Sequence, residues 1–242
     1  MRKNNDDPRR EFLVKALSMG LFAGLNLASV FQPGYTMGRV PNRLPDGRSI
    51  FRLEGKVTVD GKAANIETPI GPSSFVKTGR NSRVIFVVAD GAFILRSNSE
   101  LEMGGSDSLL VEGMRLLSGK VLSVFGKRDK PHSINTVTAT IGIRGTGIYV
   151  ESEPDRSYVC TCYGHTRIVA NVDPDVSEDI VSQHHDKPVY VLSKGSGKRL
   201  IVPAPFINHT DSELALVEEL VGRTTPFAYS GGTYEVPRKR SY

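Results

Sequence analysis

The sequence predicts a mainly β protein, built of stacked antiparallel hairpins with one C-terminal helix. Three observations carry this. Between about residue 49 and residue 170, short apolar runs alternate with turns rich in Gly, Asp, Asn and Ser. Asp60-Gly61 and Asp90-Gly91 sit between such runs, where hairpin turns need residues that tolerate positive φ. Helical spacing appears late, at Leu214, Val217 and Val221, behind a capping box of Thr210 and Glu213 and before Gly222, which predicts an amphipathic helix over 211–221.

The first 31 residues read as an export signal. Arg9-Arg10-Glu11-Phe12-Leu13-Val14-Lys15 precedes the apolar run 16–31 and resembles a twin-arginine signal, which sends folded proteins across a bacterial inner membrane. Gly20, Gly24 and Asn26 lower the hydrophobicity of that run, which also falls short of the ~20 residues a spanning helix needs. An ordinary secretory signal or a retained anchor is the alternative, and an uncleaved signal would hold the chain at the inner membrane. Thr36-Met37-Gly38 is a late candidate for cleavage. The expected location is the periplasm or the outer face of the inner membrane.

Residues 32–48, with Pro33, Pro41 and Pro45, read as an extended linker. Strands are expected at 51–53, 55–59, 84–88, 92–95, 114–117, 120–125, 136–141, 147–150 and 158–162, making 49–170 one β domain. Residues 171–242 then form a C-terminal extension: an acidic loop over 171–179, a His-rich segment, short strands at 189–192 and 199–202, and the helix. The 242 residues, 39% of them hydrophobic, suffice for one large domain and a tail. The net charge of +5 is partly the signal, and the remaining basic residues are interspersed with acids, so no nucleic-acid partner is expected.

The β region carries a family resemblance. Gly55-Lys-Val-Thr-Val59, the run from Val76 through Thr78-Gly79 and Ser82 to Phe86, Asp90-Gly91-Ala-Phe-Ile-Leu95, Leu117-Ser-Gly119-Lys-Val-Leu122 and Thr138 through Arg144-Gly145-Thr146-Gly147 to Val150 resemble, in order, the motifs of the FecR domain. The resemblance implies an all-β extracytoplasmic domain, sandwich- or solenoid-like, in proteins that regulate iron-transport signalling. Regulators of that type place a sigma-factor-binding segment before a membrane helix, whereas residues 1–8 alone precede the arginine pair, too few for a helical module. What is expected to transfer is the β module for binding or sensing. A truncated regulator of sigma-factor signalling in iron uptake stays an alternative. The Gly142 to Gly147 segment is followed by a strand and not a helix, so it reads as a bulge with Arg144 at the surface, not as a phosphate loop.

Cys160-Thr161-Cys162 lies in a strand pattern, so both thiols project from one face with Cα atoms ~6.6 Å apart, twice the rise per residue. Their parallel Cβ directions make a mutual disulfide strained. Thiolates and imidazoles suit zinc and related borderline metals, and the extension supplies His184, His185 and His209, with Asp211 close by. One transition metal ion, zinc or iron, is the expected cofactor of Cys160, Cys162, His184, His185 and His209. Export of a folded protein suits a cofactor loaded before transport. Buried strand cysteines and a solvated His-His turn are the plainer alternative. His165 reads as part of the turn after the cysteine strand, and His132 as an exposed loop residue. The Cys-x-Cys-Tyr-Gly strand, the His-His pair and the His-Thr-Asp helix start also resemble segments that recur in FecR-like proteins.

These features point to a non-enzymatic extracytoplasmic module binding a protein, glycan or metal complex. A metal-dependent or redox enzyme, with Asp211 or Glu213 as a base, is the alternative; no catalytic residue can be assigned from the sequence. Replacing Arg9 and Arg10 together by lysine keeps the charge and removes the paired guanidinium forks. Precursor should then accumulate in the cytoplasm, as read by fractionation; unchanged export would leave an ordinary secretory signal or an anchor.

Overall fold

The structure, a computed structural model, describes residues 44–227 apart from 46, 106–112, 128–131 and 196. The expected export signal and nearly all of the expected linker lie outside these residues. The chain from 50 onward forms one antiparallel-dominated sheet system of 14 strands. β1 (Ile50–Glu54) pairs with β5 (Arg83–Val88), which turns into β6 (Gly91–Leu95), and β6 lies against β8 (Gly113–Val124). The first half of β8 is reached through β2 (Val57–Val59), β3 (Lys62–Ala63), β4 (Phe75–Thr78) and β7 (Glu100–Gly104). β9 (His132–Asn135) runs parallel to β8 and antiparallel to β10 (Ala139–Ser152).

The centre is the long hairpin of β10 and β11 (Arg156–Ala170). β11 pairs along its second half with β12 (Asp173–Ser182) and along its first half with β13 (Val189–Leu192), which pairs with β14 (Ile201–Pro203). The sheet thus continues across residue 170 into the C-terminal extension. The β10–β11 register shifts between Arg144 and Gly147, where Gly145 has φ 58°. Only glycine fits at 147, because a Cβ there would lie 2.4 Å from the Tyr163 ring.

Several local expectations change. The acidic segment expected as a loop is the strand β12: backbone pairing and the buried Ile180 hold it, while its charges face solvent as an edge strand tolerates. Tyr163 to Thr166 is not a turn but the continuation of β11; the reversal comes at Asn171-Val172, and Gly164 (φ 90°) only bends the strand. His132 is buried in β9 and stacks on Phe125 instead of sitting in an exposed loop. Of 199–202, a 3₁₀ turn (Gly197–Leu200) takes the first half. The Asp60-Gly61 hairpin forms with positive φ at both residues, as expected, whereas in the second hairpin the left-handed residue is Ala89 and Gly91 already belongs to β6.

Alternation along the central strands produces two apolar layers. Phe86, Phe93, Leu95, Val121, Ile148, Val150 and Val159 point into the main core. Their neighbours Ile85, Ile94, Leu122, Tyr149, Tyr158, Cys160 and Cys162 point to the opposite face. That second face is covered by the chain after β14 and by α1 (Asp211–Leu220), the only α-helix among the described residues, which buries Leu214, Val217 and Leu220 there. The capping box forms: Glu213 N–H donates to Thr210 Oγ1 (3.4 Å) and Thr210 N–H to Glu213 Oε2 (3.2 Å). Among the described residues no helix is long and apolar enough to cross a membrane.

A buried leucine in such a layer contributes about 1.5–3 kcal/mol by burial alone, and its truncation also leaves a cavity. Leu214→Ala should therefore cost about 2–5 kcal/mol in denaturant unfolding. A cost near zero would mean that α1 is not seated on the sheet.

Candidate metal centre

The site forms where the cysteine strand meets the two segments that cover it. On β11 the residues Tyr158, Cys160 and Cys162 share the outer face, and Tyr149 stands opposite Cys160 on β10. Both thiols are wholly buried, His209 is 1% exposed, and the His185 side chain is 8% exposed. The sulfur of Cys160 lies 3.5 Å from His185 Nδ1, and that of Cys162 lies 3.4 Å from His209 Nε2. The two imidazole nitrogens are 3.2 Å apart. All four donor atoms fall within 4.8 Å of one another.

These spacings can be set against a tetrahedral ion. With Zn–S near 2.3 Å and Zn–N near 2.05 Å, the edges of the tetrahedron are about 3.6 Å for S–N and about 3.3 Å for N–N. The observed 3.5, 3.4 and 3.2 Å fit those edges. The protonation pattern fits too. His209 Nδ1 lies 2.7 Å from the carbonyl oxygen of Ile207, which can only accept, so the proton sits on Nδ1 and the Nε2 lone pair faces the thiols. His185 Nε2 lies 3.0 Å from Asp211 Oδ1, so Nδ1 of that ring is likewise free to ligate. A carboxylate behind one ligating imidazole and a carbonyl behind the other is the usual support of a metal-bound histidine.

Burial pushes both thiols up, but they part company. The polar contacts with Cys162, His185 and His209 outweigh burial at Cys160 and hold it well below the ordinary thiol value. At Cys162 burial is reinforced by the Cys160 sulfur beside it, so that thiol is raised. For His185, burial lowers the value but Cys160 and Asp211 outweigh it. Asp211 is held low against burial by hydrogen bonds from His184 and His185.

The histidines arrive by different routes. His185 has a left-handed backbone (φ 56°), its N–H donates to the Cys162 carbonyl (2.9 Å), and Asp186 closes the turn by accepting from the Gln183 N–H (2.6 Å). His209 is held by the sheet beneath it. Its ring stacks on Tyr149 (4.5 Å between centroids), Tyr149 donates to Glu151 (2.7 Å), and Glu151 also accepts from Asn208 Nδ2 (2.7 Å) and pairs with Lys120 (3.2 Å). Tyr158 donates to the carbonyl of Pro205 (3.0 Å). Arg96 reaches both oxygens of Glu213 at 2.9 Å and fixes the start of α1, hence Asp211. Phe206 packs against both ligating rings at 4.5 Å.

Of the residues expected at the site, Cys160, Cys162, His185 and His209 come together. His184 stays outside this set, on the solvent side of Asp211, at 3.0 Å from both carboxylate oxygens. His165 is half-exposed and paired with Asp179, and His132 lies in the main core. Tyr149, Glu151, Tyr158 and Arg96 were not singled out from the sequence. The i, i+2 placement of Tyr149 and Glu151 on the strand beside Cys160 was the available signal.

Cys160→Ser, Cys162→Ser, His185→Ala and His209→Ala should each lower bound metal and Tm. The double cysteine change should cost little more than either single one, because each already loses the shared ion. His165→Ala should move neither quantity, and His132→Ala should lower Tm without changing metal. Elemental analysis and thermal unfolding of natively purified protein check all seven; full metal retention by the double cysteine variant would leave the thiols as core residues.

Comparison with known proteins places part of this architecture. Residues 74–165 match the family described as FecR protein. The matched stretch includes Cys160 and Cys162 and ends before His184, His185 and His209. No curated protein is detectably similar to the chain. Two crystal structures of a candidate anti-sigma factor from Parabacteroides distasonis show similarity at 12% identity, with TM-scores of 0.43 and 0.42, over 54% of this chain and 58% of that one. The chain thus spans little more than half the length of those structures, and its family likeness is that of a FecR protein over residues 74–165.

Proposed function

We propose that this protein is an extracytoplasmic FecR-type binding or sensing module whose C-terminal layer is clasped to the β domain by a metal ion at Cys160, Cys162, His185 and His209. The convergence of four buried donors, with lone pairs facing one point, carries the reading. Zinc or iron suits an S₂N₂ set. Four protein ligands complete a tetrahedral shell and leave no position for substrate, which favours a structural clasp over metal-dependent catalysis. The thiols belong to the FecR-like stretch and the imidazoles to the extension, so an ion ties one to the other. Metal affinity becomes stability of that tie, because the ligand set exists only when the extension is folded back.

Limited proteolysis tests this. Protein stripped by a chelator under reducing conditions should be cut between 183 and 210 much faster than metal-loaded protein, while the core strands resist in both. Equal cutting would end the clasp reading. A second reading, a regulator of sigma-factor signalling, is favoured by the FecR match and tested by capture of a sigma factor on the purified chain.

A further inference from the structure

Outside the four buried donors, His184, His185 and Asp211 form a second cluster whose coordinating atoms also lie within 4.8 Å of one another. His184 Nε2 is 3.0 Å from both oxygens of Asp211, and His185 Nε2 is 3.0 Å from Oδ1. These separations are close to the edge of about 3.3 Å expected between nitrogen or oxygen ligands of one ion. His185 belongs to both clusters, through Nδ1 on the inside and Nε2 on the outside.

We propose that His184 Nε2, His185 Nε2 and a carboxylate oxygen of Asp211 bind a second divalent transition-metal ion, bridged to the inner one by the His185 imidazole. The proposal rests on the clasp reading for its inner partner.

Four observations support it beyond proximity. Adjacent residues ordinarily diverge, but the left-handed φ at His185 turns both imidazoles toward one carboxylate, with ring centroids 4.9 Å apart. His184, although its side chain is 46% exposed, is held by stacking on Phe227 at 4.2 Å. Two of the three outer donors face solvent: His184 and Asp211 are about one-half and one-third exposed, while the inner thiols are not exposed at all. Three protein ligands then leave an open position for water or a small anion, as in sites that exchange ligands.

The charges also permit it. Two thiolates neutralise an inner dication. When the outer dication binds, the Nε2 proton of His185 leaves to solvent, and imidazolate together with the Asp211 carboxylate neutralises the second ion. No net charge accumulates at either position. Metal–nitrogen bonds near 2.0 Å on both sides of one imidazole put the ions about 6 Å apart. Imidazole and carboxylate donors suit Zn²⁺, Cu²⁺ or Ni²⁺.

Cobalt titration of the metal-stripped, reduced full chain separates the two sites. The inner equivalent shows thiolate-to-cobalt charge transfer in the near ultraviolet; the outer one adds only weak visible bands. Wild type should take up two equivalents. His184→Ala should weaken the second by more than about 100-fold and keep the first; Asp211→Asn should weaken the second as much and the first by about 10–100-fold, because Asp211 also supports His185. Cu²⁺ added to the one-cobalt protein should show an EPR signal weakened by coupling through the bridge, and a full-intensity signal there would overturn the bridge. A single equivalent in wild type with charge transfer intact, or a second equivalent unchanged in both variants, overturns the outer site and leaves the clasp standing. Absence of charge transfer at every ratio overturns the clasp, and the bridged pair with it.

Discussion

Two thiols that leave one strand in the same direction set the terms for the C-terminal third of this protein. Strand alternation gives Cys160 and Cys162 a common face, and the bulk of the chain's apolar core lies on the other one. Their face is neither open to water nor filled only by aliphatic side chains. Imidazoles at 3.5 and 3.4 Å meet the sulfurs, and aromatic rings close around the imidazoles. Four polar donors turned toward one another in a buried space are costly to leave unsatisfied. In the proposed loaded state a dication would replace these contacts by four bonds.

The surrounding structure is arranged to keep the donors where they are. Glu151 is buried and would be a liability alone, but it collects Tyr149, Asn208 and Lys120. In doing so it joins the strand opposite Cys160 to the residue preceding His209. Glu213 does the equivalent work for the helix: it closes the capping box and receives Arg96 from beyond the end of β6, so the position of Asp211 is set by the sheet. Removing one member of either group would leave a buried charge without its partner, which is far more costly than losing a surface pair. At the other end of α1, Tyr163 donates to Glu218, which also pairs with Arg223. Both ends of the helix are thereby tied to the layer that holds the cysteines.

The class of fold, and the placing of Cys160 and Cys162 on one face, were legible in the sequence because they rest on local rules. Alternation gave the strands and put the cysteines on one face; the capping box marked the helix start at Thr210, which the structure keeps. What local rules could not supply was the length of the central hairpin. Gly164 looks like a turn residue, yet it bends β11 only slightly, and the acidic run after it pairs as β12 because backbone hydrogen bonding, not side-chain burial, holds an edge strand. The division of labour between His184 and His185 was also invisible. It depends on a left-handed φ at His185, an uncommon conformation outside glycine that nothing in the local sequence assigns to His185 over His184. Tyr149 and Glu151 escaped notice because their role comes from register: they face the site only because β10 sets Tyr149 against Cys160.

The boundary of the family match runs through the site itself. Residues 74–165 make up the FecR-like stretch, and His185 and His209 lie beyond it. Two residues of a strand that the fold already fixes present the sulfurs, so the β domain contributes half a site at no extra conformational cost. The extension must bring the other half across 25 residues from Cys160 to His185 and 47 from Cys162 to His209. Loop closure over such lengths costs entropy that grows only slowly with length, whereas the gain from an S₂N₂ ion is of the order of 10 kcal/mol in zinc-finger peptides. Were an ion bound at these four residues, it would add to the strand pairing and helix packing that already seat the extension on the sheet, in the part of the chain that the FecR-like stretch does not include.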